Sequence, residues 1–255
     1  GSVTPKKKLV SSRERAKSLI LAGKVRIGDE VADKPGRMCD EDGPLRVTKD
    51  VHPYASRGGL KLEYALKEFD VSLSGKVALD LGASTGGFTD CLLQHEVDKV
   101  FAVDVGYGQL DWKLQSDSRV VSIDRKNARD LKPDEIGEMV DLVVIDVSFI
   151  SLKLIIPPAL SLLKPEGDLI ALVKPQFEVG KDEVENKGII KDPEKHLKVL
   201  HDLRAFMAEK KWPVINLTTS PITGQKGNRE FLIHCTGGVL GTAIDEEQIQ
   251  KEVLQ

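Results

Sequence analysis

The sequence predicts an α/β protein: a doubly wound, mostly parallel, Rossmann-like sheet preceded by a small N-terminal α+β module. Two observations carry this prediction. Near-continuous apolar runs alternate with helical patterns from residue 56 onward, and such runs are typical of parallel strands buried on both faces. The first run is followed directly by a glycine-rich turn. The runs are VALDLG (77–82), VFAVDVG (100–106), RVVSID (119–124), DLVVIDV (141–147) and DLIALVK (168–174).

Helices are expected between these strands, over about 56–69, 86–95, 151–163 and 193–210. Two late strands, at about 213–219 and 230–236, follow the last long helix. The domain is therefore expected to span residues 51–240. Residues 241–255 are expected to form a helical tail.

The N-terminal segment has a different pattern and a strong charge. A helix over 11–22, with capping-box spacing of Ser11 and Glu14, precedes short strands within 24–31 and 43–48. Residues 48–55 are expected to form a linker. The division between the two domains is placed within it, so that residues 1–50 hold the module and the start of the linker. Although the chain carries a net charge of −3, residues 1–27 hold eight basic residues against one acidic residue.

Local potential steers a polyanion more than net charge does, so this segment predicts nucleic-acid binding. A solubilising basic tail is the alternative. The predicted RNA-binding residues are Arg13, Arg15, Lys17, Lys24 and Arg57.

Composition limits the class of protein. Hydrophobic residues make up 40% and charged residues 30% of the chain, and no apolar run is long enough for a membrane span. The cysteines are Cys39, Cys91 and Cys235, whose spacing predicts neither a disulfide framework nor a metal site. The sequence therefore predicts a cytoplasmic protein with reduced thiols and no metal.

The glycine-rich turn is the first candidate binding site. It runs from Asp80 to Phe88 as DLGASTGGF, where glycines allow a sharp turn and close approach of a ligand. Ser84 stands where a dinucleotide fold has its second glycine, which disfavours a nicotinamide-dependent oxidoreductase. A purely structural turn is the alternative.

Acidic and amide side chains follow the next two strands. Asp104 ends the second strand, about 20 residues beyond the turn, where a carboxylate can hold two ribose hydroxyls. Asn127 follows the third strand and could bind an adenine edge, although Asp124 and Asp130 lie nearby. An ordinary surface acid is the alternative for Asp104.

Two charged residues end the fourth and fifth strands. Asp146 and Lys174 would be costly there unless they were paired or functional. A partly desolvated lysine beside a carboxylate can act in proton transfer. A structural ion pair at the rim of the sheet is the alternative.

Four long motifs are similar to one family. DLGASTGGFTD, AVDVGYGQLDW, DLVVIDVSFISL and LVKPQFEVGK resemble the TlyA (haemolysin A) family of bacterial rRNA methyltransferases, which has an FtsJ-like catalytic domain. The resemblance covers roughly residues 10–236. The N-terminal part resembles the small RNA-binding module of a ribosomal protein and of pseudouridine synthases. The usual first helix of that module is not visible before Leu9, so a truncated module is expected.

The resemblance implies S-adenosylmethionine-dependent 2'-O-ribose methylation of ribosomal RNA, with cytidines as targets. It implies a Lys-Asp-Lys-Glu tetrad of Lys61, Asp146, Lys174 and Glu230. In this scheme Lys174 is held by both carboxylates and deprotonates the hydroxyl. The partner would be ribosomal RNA or a ribosomal subunit, and the protein would be a monomer. The implied cofactor-binding residues are Asp80, Gly82, Ala83, Ser84, Thr85, Gly86, Gly87, Phe88, Asp104, Asn127 and Asp146.

Two alternatives belong to other functional classes. The family name raises a haemolytic, membrane-active protein, and the basic module raises an RNA-binding assembly factor without catalysis. The loop over 178–193 has little apolar content and follows Lys174, so it is expected to be mobile and to order when RNA docks. A plain solvated connection is the alternative for this loop.

Overall fold

The computed structural model describes residues 13–21, 23–32, 34–40, 43–47, 52–180, 188–224, 227–238 and 242–254. The N-terminal module comprises α1 (Arg13–Leu21), β1 (Val25–Ile27), β2 (Glu30–Val31) and β3 (Leu45–Val47), with strand order β2-β1-β3. Both strand pairs are antiparallel. Helix α1 ends before Gly23, whose φ of +69° places it in the left-handed region that glycine favours. The expected capping pair, Ser11 with the Glu14 side chain, lies outside the described residues.

The main sheet has seven strands in the order β6-β5-β4-β7-β8-β10-β9. Strands β4 to β8 run parallel to one another, and β10 is antiparallel to both β8 and β9. This arrangement confirms the predicted doubly wound, mostly parallel fold. The strands are β4 (Val77–Leu81), β5 (Lys99–Val103), β6 (Val120–Ile123), β7 (Val140–Ile145), β8 (Leu163–Val173), β9 (Val214–Thr219) and β10 (Phe231–Thr236).

Helices cover both faces of this sheet. The longer ones are α2 (Gly58–Phe69), α3 (Gly87–Gln94), α6 (Leu152–Leu160), α8 (Pro193–Glu209) and α9 (Glu246–Leu254). Shorter turns of helix are α4 (Trp112–Gln115), a 3₁₀ turn (Ala128–Asp130), α5 (Pro133–Ile136) and α7 (Pro175–Glu178). The four-residue helices were not expected, because one turn is too short to show a helical period.

Two apolar cores explain why the strands read as continuous apolar runs. Along β4, Leu79 and Leu81 pack into one core with residues of α6, α8 and α9. Ala78, which points to the other face, packs into a second core with residues of α2 and α3. Because helices cover both faces of the sheet, a strand in its middle has to be apolar at nearly every position.

Several segments differ from the predicted elements or lie partly outside the described residues. Strand β8 begins at Leu163, earlier than the apolar run suggested, because charged residues interrupt its first half. The expected tail contains α9, whose Ile249 and Val253 are buried in the larger core. Residues 181–187 of the expected mobile loop lie outside the described residues, whereas Glu178, at its start, is the last residue of α7. In the part of the chain that the structure describes, no helix is long and apolar enough to cross a membrane.

Candidate active site

The glycine turn joins β4 to α3 through a backbone that other residues would not tolerate. Gly82 and Gly86 have φ values of +90° and +95°, and Ser84 lies at +48°. A Cβ on Gly82 would lie 2.5 Å from the carbonyl oxygen of Asp146, and one on Gly86 would overlap the Leu114 side chain. The turn therefore packs directly against the end of β7 and under α4, which leaves its backbone at the carboxyl edge of the sheet.

Asp104 braces this turn from the neighbouring strand. Its Oδ2 accepts a hydrogen bond from the Ser84 backbone N–H at 2.8 Å, and its Oδ1 accepts one from the Gly106 N–H at 2.7 Å. Each carboxylate oxygen can accept a further bond. The predicted role on a ribose is therefore compatible with the geometry, and it stays a prediction.

Asp80 has a carboxylate that is buried beneath the turn. It is 0% exposed, and its Oδ2 accepts a hydrogen bond from Thr89 Oγ1 at 2.7 Å. Its Oδ1 has no hydrogen-bond partner among the described residues. Burial and the nearby charges of Asp146 and Asp104 raise the pKa of Asp80 to about 7, although the Thr89 bond opposes this shift. An orphaned buried oxygen of this kind fits a cationic ligand group, such as the amino group of S-adenosylmethionine.

Replacing Asp80 should separate stability from cofactor binding. Because the native pKa of about 7 lies above the ordinary value of 3.8, the folded state holds the proton more tightly, and stability falls as pH rises between these values. We expect Asp80→Asn to gain up to about 4 kcal/mol in free energy of unfolding at pH 8 and little at pH 4. Its affinity for S-adenosylmethionine should fall at least about tenfold. Urea unfolding and calorimetry at both pH values measure this, and an Asn variant less stable at pH 8 would contradict it.

Lys174 and Asp146 form an ion pair at the ends of adjacent strands. Lys174 Nζ lies 2.6 Å from Asp146 Oδ1 and donates a hydrogen bond to Ser148 Oγ at 2.9 Å. Burial alone would raise the pKa of Asp146, but attraction to Lys174 and Lys61 and the hydrogen bond from Lys174 hold it below its ordinary value. Asp146 is therefore ionised at neutral pH and fixes the position of Lys174 Nζ.

Lys61 and Glu230 form a second, more deeply buried ion pair. Their Nζ and Oε2 atoms are 2.5 Å apart, and the two residues are 6% and 3% exposed. Glu230 was expected to hold Lys174, but the structure pairs it with Lys61. The reason is that α2 presents Lys61 toward the start of β10, while a loop containing Gly224 closes over the Glu230 carboxylate. Because Lys61 also acts electrostatically on Asp146, the four groups form one cluster.

An aromatic pair beside this cluster was missed from the sequence. Phe149 is 85% exposed and has a φ of +66°, which is strained for a bulky residue. Its ring lies 5.0 Å from that of Phe177, in a tilted arrangement. Strained backbone and an exposed aromatic ring, three residues from Asp146 in the sequence, are typical of a functional surface. The signal available in the sequence was the SF dipeptide after Asp146.

Other predicted site residues have distinct surroundings. Phe88 is 3% exposed within the second core, so its ring packs rather than faces the turn. Asn127 Oδ1 accepts a hydrogen bond from the Arg129 N–H and caps the 3₁₀ turn. Thr85 is buried, and its carbonyl oxygen accepts a bond from the Asp111 N–H.

The predicted RNA-binding residues differ in their exposure to solvent. Lys17 and Arg57 are exposed, whereas Lys24 is only 8% exposed, which leaves its part in RNA binding with less support. The side chains of Arg13 and Arg15 lie outside the described part of the chain. Within the described ranges, no group of three or more His, Cys, Asp or Glu side chains could hold a metal ion.

Comparison with known proteins agrees with this geometry. The FtsJ-like methyltransferase family matches residues 54–236, and the S4 domain matches residues 6–43. The "16S/23S rRNA (cytidine-2'-O)-methyltransferase TlyA" of Mycobacterium tuberculosis is 43% identical over 226 residues, which are 88% of this chain and 84% of that protein. "Hemolysin A" of Brachyspira hyodysenteriae is 42% identical over 225 residues, covering 88% and 93% of the two chains.

A solved structure of a provisionally named hemolysin from Streptococcus thermophilus superposes with a TM-score of 0.79. It is 41% identical, and the match covers 99% of this chain and 93% of that one. The family match spans well over half of the residues and contains the glycine turn and all four charged groups of the cluster. This chain therefore belongs to the FtsJ-like methyltransferase family, carries an S4 domain at its N-terminal end, and uses S-adenosylmethionine as its cofactor.

Proposed function

We propose that the protein methylates the ribose 2'-hydroxyl of ribosomal RNA. The observation that carries this proposal is the paired cluster of Lys174–Asp146 and Lys61–Glu230, buried beside the glycine turn. A lysine held in place by a carboxylate can orient a hydroxyl, which is a poor nucleophile while protonated, and in its neutral form can accept the proton of that hydroxyl. The activity that the TlyA relative is named for, methyl transfer to cytidine 2'-oxygens of rRNA, agrees with this chemistry.

The residues of this chain would bind, orient and deprotonate. Asp104 and the turn would hold the cofactor, which when bound would supply an electrophilic methyl group from its sulfonium and leave as a neutral thioether. Lys174 Nζ would orient the substrate hydroxyl and, in its neutral form, accept its proton. Asp146, whose pKa is held low by Lys174 and Lys61, would fix the geometry of the Lys174 side chain.

The surfaces around the cluster fit a single-stranded nucleotide. Phe149 and Phe177 offer an aromatic platform on which an unstacked base can lie. Arg57 is exposed one turn before Lys61, where a phosphate could approach. The exposed Lys17 of the S4 domain would add a second contact to RNA. We place this activity in the cytoplasm, where ribosomes are found.

Methyl transfer to isolated ribosomal subunits tests the proposal. Purified protein and S-adenosylmethionine are incubated with subunits that lack the modification, and the RNA is digested to nucleosides for mass spectrometry. We expect a 2'-O-methylated nucleoside, with cytidine as the modified base. Methyl groups on bases, or none on either subunit or its naked RNA, would contradict the proposal.

A further inference from the structure

We propose that Glu178 is a positioning residue that locks together the two strand ends carrying the reacting groups. We call residues 146–152, which follow β7, the β7 arm, and residues 174–178, which follow β8, the β8 arm. This inference rests on the proposed function, because its consequence is a correctly placed Lys174. The sequence motifs and the family resemblance predicted no role for Glu178.

Glu178 reaches from the β8 arm to the first turn of α6 on the β7 arm. Its Oε2 accepts a hydrogen bond from Ser151 Oγ at 2.7 Å, and its Oε1 accepts one from the Leu152 backbone N–H at 2.8 Å. Ser151 Oγ in turn accepts a bond from the Lys153 N–H at 3.2 Å and caps the same helix. The start of α6 is thus held by its own cap and by a carboxylate from another segment.

The two arms meet at three levels. Nearest the reacting groups, Lys174 contacts Asp146 and Ser148. Further out, the rings of Phe149 and Phe177 lie against each other. The Glu178 contacts close the outer end. These contacts join the two arms at three points along their length.

The spacing within α7 transmits this restraint to Lys174. Lys174 is the N-cap of this one-turn helix, and Glu178 is its last residue. The Phe177 N–H donates to the Lys174 carbonyl oxygen at 2.9 Å, and the Val179 N–H donates to Pro175 at 3.1 Å. Fixing Glu178 therefore fixes the backbone from which the Lys174 side chain projects.

A carboxylate at this place is costly, which points to a specific task. Burial raises the pKa of Glu178, although the Leu152 N–H, the Ser151 hydroxyl and the charge of Lys153 oppose the shift. The positive end of α6 offsets part of that cost. A carboxylate is the side chain that can accept from a hydroxyl and a backbone N–H at once, with the geometry seen here.

The test compares Glu178→Ala and Glu178→Gln with Asp245→Ala. Asp245 caps α9 by accepting the Gln248 N–H at 2.8 Å, so its loss removes a helix cap away from the reacting groups. We expect Glu178→Ala to lower the single-turnover rate of methyl transfer at least about tenfold, with S-adenosylmethionine affinity within about twofold. Glu178→Gln should recover part of the rate, because its single amide oxygen can still accept from the Leu152 N–H. Asp245→Ala should lower the melting temperature without lowering the rate.

A second readout does not depend on the reaction. Lys174 is 9% exposed, so an amine-acylating reagent should label it slowly, with the exposed Lys164 as internal reference. We expect labelling of Lys174 at least about fivefold faster in Glu178→Ala. An unchanged labelling rate, or an equal increase in Asp245→Ala, would overturn the inference. An inactive wild-type protein with faster labelling in the variant would contradict the proposed function and leave the positioning role supported.

Discussion

Lys174→Ala should abolish methyl transfer while leaving the cofactor bound. Removing a positioned base costs about 10² to 10⁴ in rate, so we expect a loss of at least about 10³ in a single-turnover assay on ribosomal substrate. Affinity for S-adenosylmethionine, measured by calorimetry, should change little, because the glycine turn and Asp104 contact each other without Lys174. Melting temperature should fall modestly, since Asp146 loses its ion pair but is partly exposed.

Lys164→Ala is the matched control for this variant. Lys164 also pairs with a strand-end aspartate, Asp141, at 2.6 Å, but at the amino edge of the sheet. It should keep the wild-type rate. If Lys174→Ala retained near wild-type rates on an authentic substrate, another group would have to accept the proton.

Breaking the buried Lys61–Glu230 pair should have the largest effect on stability. Lys61→Met would leave Glu230, which is 3% exposed, as a buried charge without its partner. Such a change costs about 3–5 kcal/mol in free energy of unfolding. The double variant Lys61→Met/Glu230→Gln removes both charges and should regain most of that stability. Its methyl-transfer rate should stay low, because Asp146, which holds Lys174, no longer has the positive charge of Lys61 beside it.

Urea unfolding of the single and double variants measures this coupling. A double variant as unstable as Lys61→Met would mean that packing of the lysine stem, and not the stranded carboxylate, stabilises the fold. A double variant with full activity would remove both residues from the reaction.

The predictable part of the site follows from one geometric rule. Parallel strands end at a common edge, so Asp104, Asp146 and Lys174 could be placed near one another from their positions after apolar runs alone. The glycine turn could be located for the same reason. The strands themselves were predictable because burial on both faces demands the near-continuous apolar runs of β4, β5 and β7.

The rest depends on contacts that no local pattern records. Lys61 and Glu230 are separated by 169 positions, and family resemblance alone brought them into the site. Even then, the partner of Glu230 was wrongly expected to be Lys174, because side-chain pairing depends on how α2 docks beside β10. Glu178 was expected to begin a mobile loop, because its contacts exist only once α6 lies opposite α7.

The position of the transferred methyl group tests the account most directly. Ribosomal RNA is methylated with S-adenosylmethionine carrying a labelled methyl group and is then hydrolysed in alkali, which requires a free 2'-hydroxyl at each cleaved linkage. The account predicts label in alkali-resistant dinucleotides with the wild-type protein and none with Lys174→Ala. Label in mononucleotides would show methylation of a base, and equal labelling by the two proteins would contradict the role of Lys174.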